Sequence, residues 1–99
     1  MILVAGSVSL PPENAEAFMA AAAAVSSASR KLPGNIDYCI SMQEPGVFRF
    51  LEIWETEEAM SAQFATPHFG AFQAAVGDLG MTAMEGNKYE VASVSPLFG

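Results

Sequence analysis

The sequence is poor in the residues that hold disulfides and metals. Its only cysteine is Cys39, and it has a single histidine, His68. One cysteine cannot form an intramolecular disulfide, and one cysteine with one histidine cannot supply the three or four soft ligands of a zinc site. The acidic residues do not follow the Asp-x-Asp spacing of a calcium loop. We therefore expect no metal site.

Positive charge and long apolar runs are also scarce. Only four residues are Lys or Arg, and the formal net charge is -7 at pH 7, so the chain lacks the basic surface that nucleic acids require. The apolar run from Phe18 to Val25 is too short to span a bilayer, and the N-terminus has no basic region typical of a signal peptide. The sequence predicts a soluble cytoplasmic protein that binds neither nucleic acid nor membrane.

A chain of 99 residues, 52% of them hydrophobic, is long enough for one compact domain over residues 1–99. Alternating apolar residues predict strands, and helical spacing with capping residues predicts helices. The predicted elements are a strand over "ILVAGSVSL", a helix from Glu13 to about Lys31, strands over "IDYCISMQ" and "VFRFLEIW", two short helices after Thr56 and Thr66, and a last strand or strand pair around "EGNK". The order β-α-β-β-α-β is that of an α+β, ferredoxin-like fold with an antiparallel sheet.

The third predicted strand, "VFRFLEIW", is apolar on both faces. Phe48, Phe50 and Trp54 share one face with Glu52, and Val47, Leu51 and Ile53 share the opposite face with Arg49. An antiparallel strand exposed on one side would show a polar face. We therefore expect helices to cover one side and a second copy of the chain to cover the other, in a twofold homodimer.

Two titratable residues of the segment "EIWETEEAMSAQFATPHF" are candidates for catalysis. Glu52 shares its strand face with aromatic residues, which favours a desolvated carboxylate suited to proton transfer. His68 follows Pro67 at the start of a helix, where the helix dipole favours the neutral imidazole that can shuttle protons. The alternatives are that Glu52 only makes a structural hydrogen bond and that His68 is a packed or capping residue.

Aromatic and long side chains near these two residues are candidates for a substrate pocket. A pocket wall and a packed core look alike in sequence, so both interpretations stay open. Cys39 has no basic neighbour and no His–Asn companion, which disfavours a nucleophilic role. The predicted substrate-binding residues are Trp54, Phe50, Tyr38, Met60, Gln63, Phe64 and Phe72.

Several short motifs along the chain match one known family: Arg30 ahead of Pro33-Gly34, Tyr38, Pro45, the "E-x-W" of Glu52 and Trp54, Glu58-Ala59, and "TPHF" from Thr66 to Phe69. On these positions most of the chain resembles the antibiotic biosynthesis monooxygenase family, which includes quinol monooxygenases and cofactor-independent anthrone oxygenases. The resemblance implies a dimeric α+β barrel with an apolar pocket between sheet and helices in each subunit. It also implies chemistry without flavin, haem or metal, in which a base helps to form the anion of a small aromatic substrate and the anion reduces O2 directly.

The sequence also departs from the family pattern. Gln63 stands where many relatives carry a histidine, and Phe50 and Met60 stand where anthrone oxygenases carry asparagine and tyrosine. The first strand has no asparagine, which disfavours the haem-degrading branch.

The sequence leaves three candidate functions. The favoured one is a cofactor-free monooxygenase acting on a quinol, phenol or anthrone-like compound. The alternatives are a non-redox isomerase or cyclase that uses His68 and Glu52, and a non-catalytic dimer that binds an apolar ligand.

Overall fold

The computed structural model describes residues 1–99 and has three helices on one face of a four-stranded antiparallel sheet. In chain order the elements are β1 (Ile2–Ser9), α1 (Ala15–Ser29), β2 (Asn35–Glu44), β3 (Val47–Trp54), α2 (Glu57–Ala62), α3 (Pro67–Gly77) and β4 (Ala83–Glu90). The strands lie in the order β2-β3-β1-β4, and every neighbouring pair is antiparallel. This is the predicted ferredoxin-like α+β fold. No helix combines the length and the apolar character needed to cross a bilayer.

Both predicted threonine caps are confirmed at the short helices. The Thr56 hydroxyl accepts a hydrogen bond from the Ala59 amide at the start of α2, and the Thr66 hydroxyl accepts one from the Phe69 amide at the start of α3. Pro67 occupies the first turn of α3, where the missing amide hydrogen leaves no bond unmade. The two threonine caps and Pro67 therefore set where α2 and α3 begin, in the segment that follows β3.

The ends of the first helix and of the chain differ from prediction. The prolines 11 and 12 lead into a 3-10 turn over Pro12–Asn14, and α1 begins only at Ala15. The last segment is one strand, so the alternative of a strand pair around "EGNK" is wrong. Gly86, in the middle of "EGNK", pairs with Gly6 of β1 and does not have the positive φ that a tight hairpin turn would require.

The core lies between the sheet and α1 and α3. One cluster of buried residues joins the middle of the sheet to both helices, and the rings of Phe18 and Phe48 are 4.3 Å apart there. A second cluster surrounds Trp54, which is fully buried. Ile40 and Phe72 contact both clusters. The space left beside this core, under α2 and α3, is where the candidate site forms.

Candidate active site

A cavity of about 340 Å³ lies on the helix-covered side of the sheet, near β4. A smaller cavity of about 90 Å³ adjoins it toward β2. Both are lined by Phe50, Glu52, Phe69 and Met84. Because Glu52 is the only ionisable residue of these four, its carboxylate is the polar centre of an otherwise largely apolar space.

The ring of Phe50 forms the floor of both cavities. Gly6 and Gly86 lie opposite each other on β1 and β4, and a Cβ added to them would be 2.6 Å and 2.9 Å from Phe50 Cζ. Real Cβ atoms do not approach another carbon so closely, so the ring can lie over these strands only because both residues are glycine. The glycine pair therefore creates a flat aromatic floor.

The Glu52 carboxylate is held through one of its two oxygens. Glu52 lies on β3 and is only 8% exposed. Trp54 Nε1 donates to its Oε1 at 3.0 Å, and Gln63 Nε2 donates to the same oxygen at 2.9 Å. Both donors are neutral, so they orient the carboxylate and stabilise its charge without cancelling it.

The second oxygen of Glu52 is free. Oε2 has no hydrogen-bond partner in the chain, and it is not fully buried, since the only fully buried side-chain polar atom without a partner is Gln63 Oε1. An accessible carboxylate oxygen beside two apolar cavities can accept a proton from a bound O–H group. No group of three or more His, Cys, Asp or Glu side chains lies close enough together to hold a metal ion.

Tyr38 lies directly opposite Glu52 in the β2–β3 register and lines the smaller cavity. Burial raises the pKa of Tyr38 to about 12, and the negative charge of Glu52 acts in the same direction, whereas a hydrogen bond with the Ser29 hydroxyl lowers it. The Tyr38 phenol is therefore neutral at physiological pH and keeps its proton.

His68 lies in a different place from Glu52. It lines a groove of about 230 Å³ between α1 and α3, together with five alanine or valine residues and Phe72. Its Nε2 is 3.4 Å from Ser29 Oγ. His68 lines neither Glu52 cavity. Its connection to the site runs through Ser29, which also contacts Tyr38.

The structure places the other predicted site residues around the two cavities. Phe50, Met60, Gln63 and Phe64 line the larger cavity with Glu52, and Tyr38 and Phe72 line the smaller one. Trp54 lines neither, because it is fully buried behind the Glu52 carboxylate.

Sequence reasoning missed the lining from β1 and β4 and from the start of α3. The missed residues are Val4, Phe69, Met84, Gly86, Asn87 and Lys88. The alternation of Met84, Gly86 and Lys88 was the available signal, but it is recognised only when "EGNK" is interpreted as strand. Lys88 lies at the cavity rim, where it forms an ion pair with Glu57 of α2. The hydrogen bond to Glu57 raises the pKa of Lys88.

The sequence matches a known family and a protein of Synechocystis sp. A family model for antibiotic biosynthesis monooxygenases matches residues 1–75. An uncharacterized protein of Synechocystis sp. is 32% identical over 98 residues, which is 97% of this chain and 67% of that protein. The family match therefore includes β1 to α2 and most of α3, the part of the chain that carries Glu52, Gln63 and His68.

Solved structures share the fold over nearly the whole chain. A candidate antibiotic biosynthesis monooxygenase from Deinococcus radiodurans superposes with a TM-score of 0.90 at 25% identity and covers all of both chains. One from Nitrosomonas europaea has a TM-score of 0.86 at 24% identity and covers 94% of this chain and all of its own. A conserved protein of unknown function from Bacteroides thetaiotaomicron, described as a possible oxidoreductase, has a TM-score of 0.80 at 27% identity and covers 91% of this chain and 96% of its own.

Proposed function

Because the chain belongs to the antibiotic biosynthesis monooxygenase family, we propose that it oxidises a small electron-rich aromatic compound with O2 and without a cofactor. The substrate is a quinol, a phenol or an anthrone-like compound that binds in the cavities beside Glu52. The single observation that supports this proposal most strongly is the free Oε2 of a buried carboxylate next to an aromatic floor.

In the first step, Glu52 is the base. The substrate O–H bond breaks, its proton goes to Glu52 Oε2, and the negative charge passes from the carboxylate to the substrate oxygen. The largely apolar lining limits the hydration of the new anion. A neutral substrate is favoured because a carboxylate substrate would be repelled by Glu52 and by the net charge of the chain.

In the second step, the substrate anion reduces O2. The anion gives one electron to O2, and the two radicals combine to form a carbon–oxygen bond at an activated ring carbon. In an anthrone-like substrate, that carbon loses two hydrogens and gains one oxygen atom as a carbonyl, while the second oxygen atom leaves as water. The contribution of the protein is to orient the substrate, exclude water and move protons.

His68 takes part through other residues in this proposal. It acts on the smaller cavity only through Ser29, which lies between His68 and Tyr38, and does not contact the substrate. The separation of His68 from Glu52 favours oxidation by a single base over an isomerase or cyclase, which would need both side chains on one substrate.

The proposal includes a homodimer formed by the uncovered face of the sheet. On that face Leu3, Leu51 and Ile53 are half-buried and Tyr89 is 49% exposed. Arg49, Glu85 and Asn87 lie on the same face, and its apolar part is stabilised when a second sheet packs on it. A twofold axis would bring the same face of both copies together.

Oxygen consumption tests the reaction. The protein is given a panel of hydroquinones and anthrones under air, with autoxidation subtracted, and Glu52→Gln is compared with Glu58→Gln, an exposed glutamate of α2. Uptake that Glu52→Gln removes and Glu58→Gln keeps supports the proposal. Turnover that continues without oxygen would favour an isomerase. Thermal stabilisation by the panel compounds without any uptake would favour a non-catalytic binding protein.

A further inference from the structure

Gln63 is an unusual residue to find fully buried. It is only 2% exposed, its Nε2 donates to Glu52, and its Oε1 is the one fully buried side-chain polar atom with no partner in the chain. Leaving a buried acceptor unpaired is unfavourable, and an apolar side chain of the same shape would avoid the loss. Gln63 is thus a poor choice for stability alone.

The orientation of the Gln63 amide matches a charged Glu52. If the amide were turned over, its oxygen would face Glu52 Oε1 at the 2.9 Å now spanned by Nε2. Two acceptors at that distance repel unless the carboxyl group carries a proton that it can donate. The bond from Nε2 to the charged oxygen therefore favours this orientation, even though Oε1 is left unpaired.

We propose that Gln63 is a positioning residue for Glu52. Together with Trp54 it fixes Oε1, so that only Oε2 faces the ligand, and it keeps the carboxylate charged and able to accept a proton. The role of Glu52 as base rests on the proposed function, but the fixing of Oε1 by Gln63 does not.

Few other groups near Glu52 could fix its carboxylate or keep it charged. Tyr38 faces it from β2 as a neutral phenol. Lys88 lines the same cavity from β4, but its ammonium group is paired with Glu57 of α2. His68 lies in the separate groove between α1 and α3. The two neutral donors are thus the groups that contact the carboxylate directly.

Trp54 provides a direct measurement, because it is the only tryptophan and its indole N–H binds Glu52. Its emission is followed against pH, and the carboxyl carbon resonance of Glu52 is followed in the same range. Glu52→Gln has no carboxyl group at this position, so a pH transition in the Trp54 emission that is absent from this variant belongs to Glu52. In Gln63→Met and Gln63→Leu, we expect the midpoint to move to higher pH by about one to two units, because a hydrogen bond to the charged form is lost.

Two further variants sharpen the test. Gln63→Glu places a like charge beside Glu52 and should move the midpoint further than Gln63→Met does. Gln73→Met, at an exposed glutamine of α3, should leave the midpoint unchanged. Equal midpoints in the wild type and in folded Gln63→Met and Gln63→Leu, by both readouts, would overturn the inference.

The titration needs no substrate, so its result is separate from that of the proposed reaction. A shifted midpoint in a protein that consumes no oxygen would retain the positioning role and remove the oxygenase. Oxygen uptake with an unshifted midpoint would retain the oxygenase and remove the positioning role.

Discussion

Gly86 lies directly opposite Gly6 in the β1–β4 register, and the Phe50 ring occupies the space that a side chain on Gly86 would need, whereas a side chain on Gly6 would also meet the β4 backbone. This relationship predicts the effect of Gly86→Ala. The new Cβ would be 2.9 Å from Phe50 Cζ, so the ring must rise into the cavity. We expect the free energy of unfolding to fall by about 1–3 kcal/mol and the affinity for a hydroquinone or anthrone to fall about tenfold or more.

Gly70→Ala is the matched control for that prediction. Gly70 lies in α3, and a Cβ added there would meet nothing within 4 Å. Alanine should raise the free energy of unfolding by roughly 0.5–1 kcal/mol and leave ligand affinity unchanged. Chemical denaturation and thermal shift with the same ligand measure both quantities. If Gly86→Ala behaved like Gly70→Ala, Phe50 would not form the cavity floor.

The fold was predictable because its signals are local. Alternation located β3 to the residue, and Thr56 and Thr66 marked the starts of α2 and α3. Local signals failed where the backbone is irregular. Register shifts occur at both ends of β2, and Ile36 and Met42, which regular alternation would place on the same face as the buried Tyr38, are 49% and 50% exposed.

The candidate site was less predictable because it depends on contacts between distant parts of the chain. Gln63 reaches Glu52 from a 3-10 turn over Gln63–Ala65 that follows α2, and nothing in its own neighbourhood in the sequence specifies that contact. His68 points toward α1, whereas the next residue, Phe69, lines both Glu52 cavities. Which face of α3 meets the sheet is decided by packing, and the dipole argument for His68 carries no information about it.

The raised pKa of Tyr38 predicts that the folded protein loses stability at high pH. Its pKa is raised from 10.0 to about 12 in the folded protein, mainly by burial. The unfolded chain therefore loses this proton first, so the stability contribution is fully present below pH 10 and is lost as pH rises toward about 12. Urea denaturation between these limits should show a steeper decline for the wild type than for Tyr38→Phe.

The same prediction can be checked spectroscopically. Tyr38 and Tyr89 are the only tyrosines, so Tyr38 is the one phenol that absorbs in Tyr89→Phe. Its tyrosinate absorbance should appear near pH 12 while the protein is folded, and near pH 10 in denaturant. A midpoint near 10 in the folded variant would mean that Tyr38 is not buried as described.

Unequal roles for Glu52 and His68 are a further prediction. A positioned general base contributes about 10²–10⁴-fold to rate, so Glu52→Gln should reduce kcat/KM by that factor. His68→Ala should cost no more than about tenfold, because His68 acts through Ser29. Ser29→Ala should cost as much as His68→Ala, and the double variant no more than either one. A loss in His68→Ala equal to that in Glu52→Gln would place His68 in contact with substrate.

The uncovered face of the sheet predicts that one buried charge will separate two copies of the chain. Leu51 lies on that face, between Ala5 and Cys39 of the neighbouring strands. In Leu51→Glu a twofold interface would bury two unpaired carboxylates, which is strongly unfavourable. We expect light scattering to find a dimer for the wild type and a monomer for Leu51→Glu. Ala20→Glu, on the exposed side of α1, should remain dimeric. A wild-type monomer would contradict the proposed homodimer.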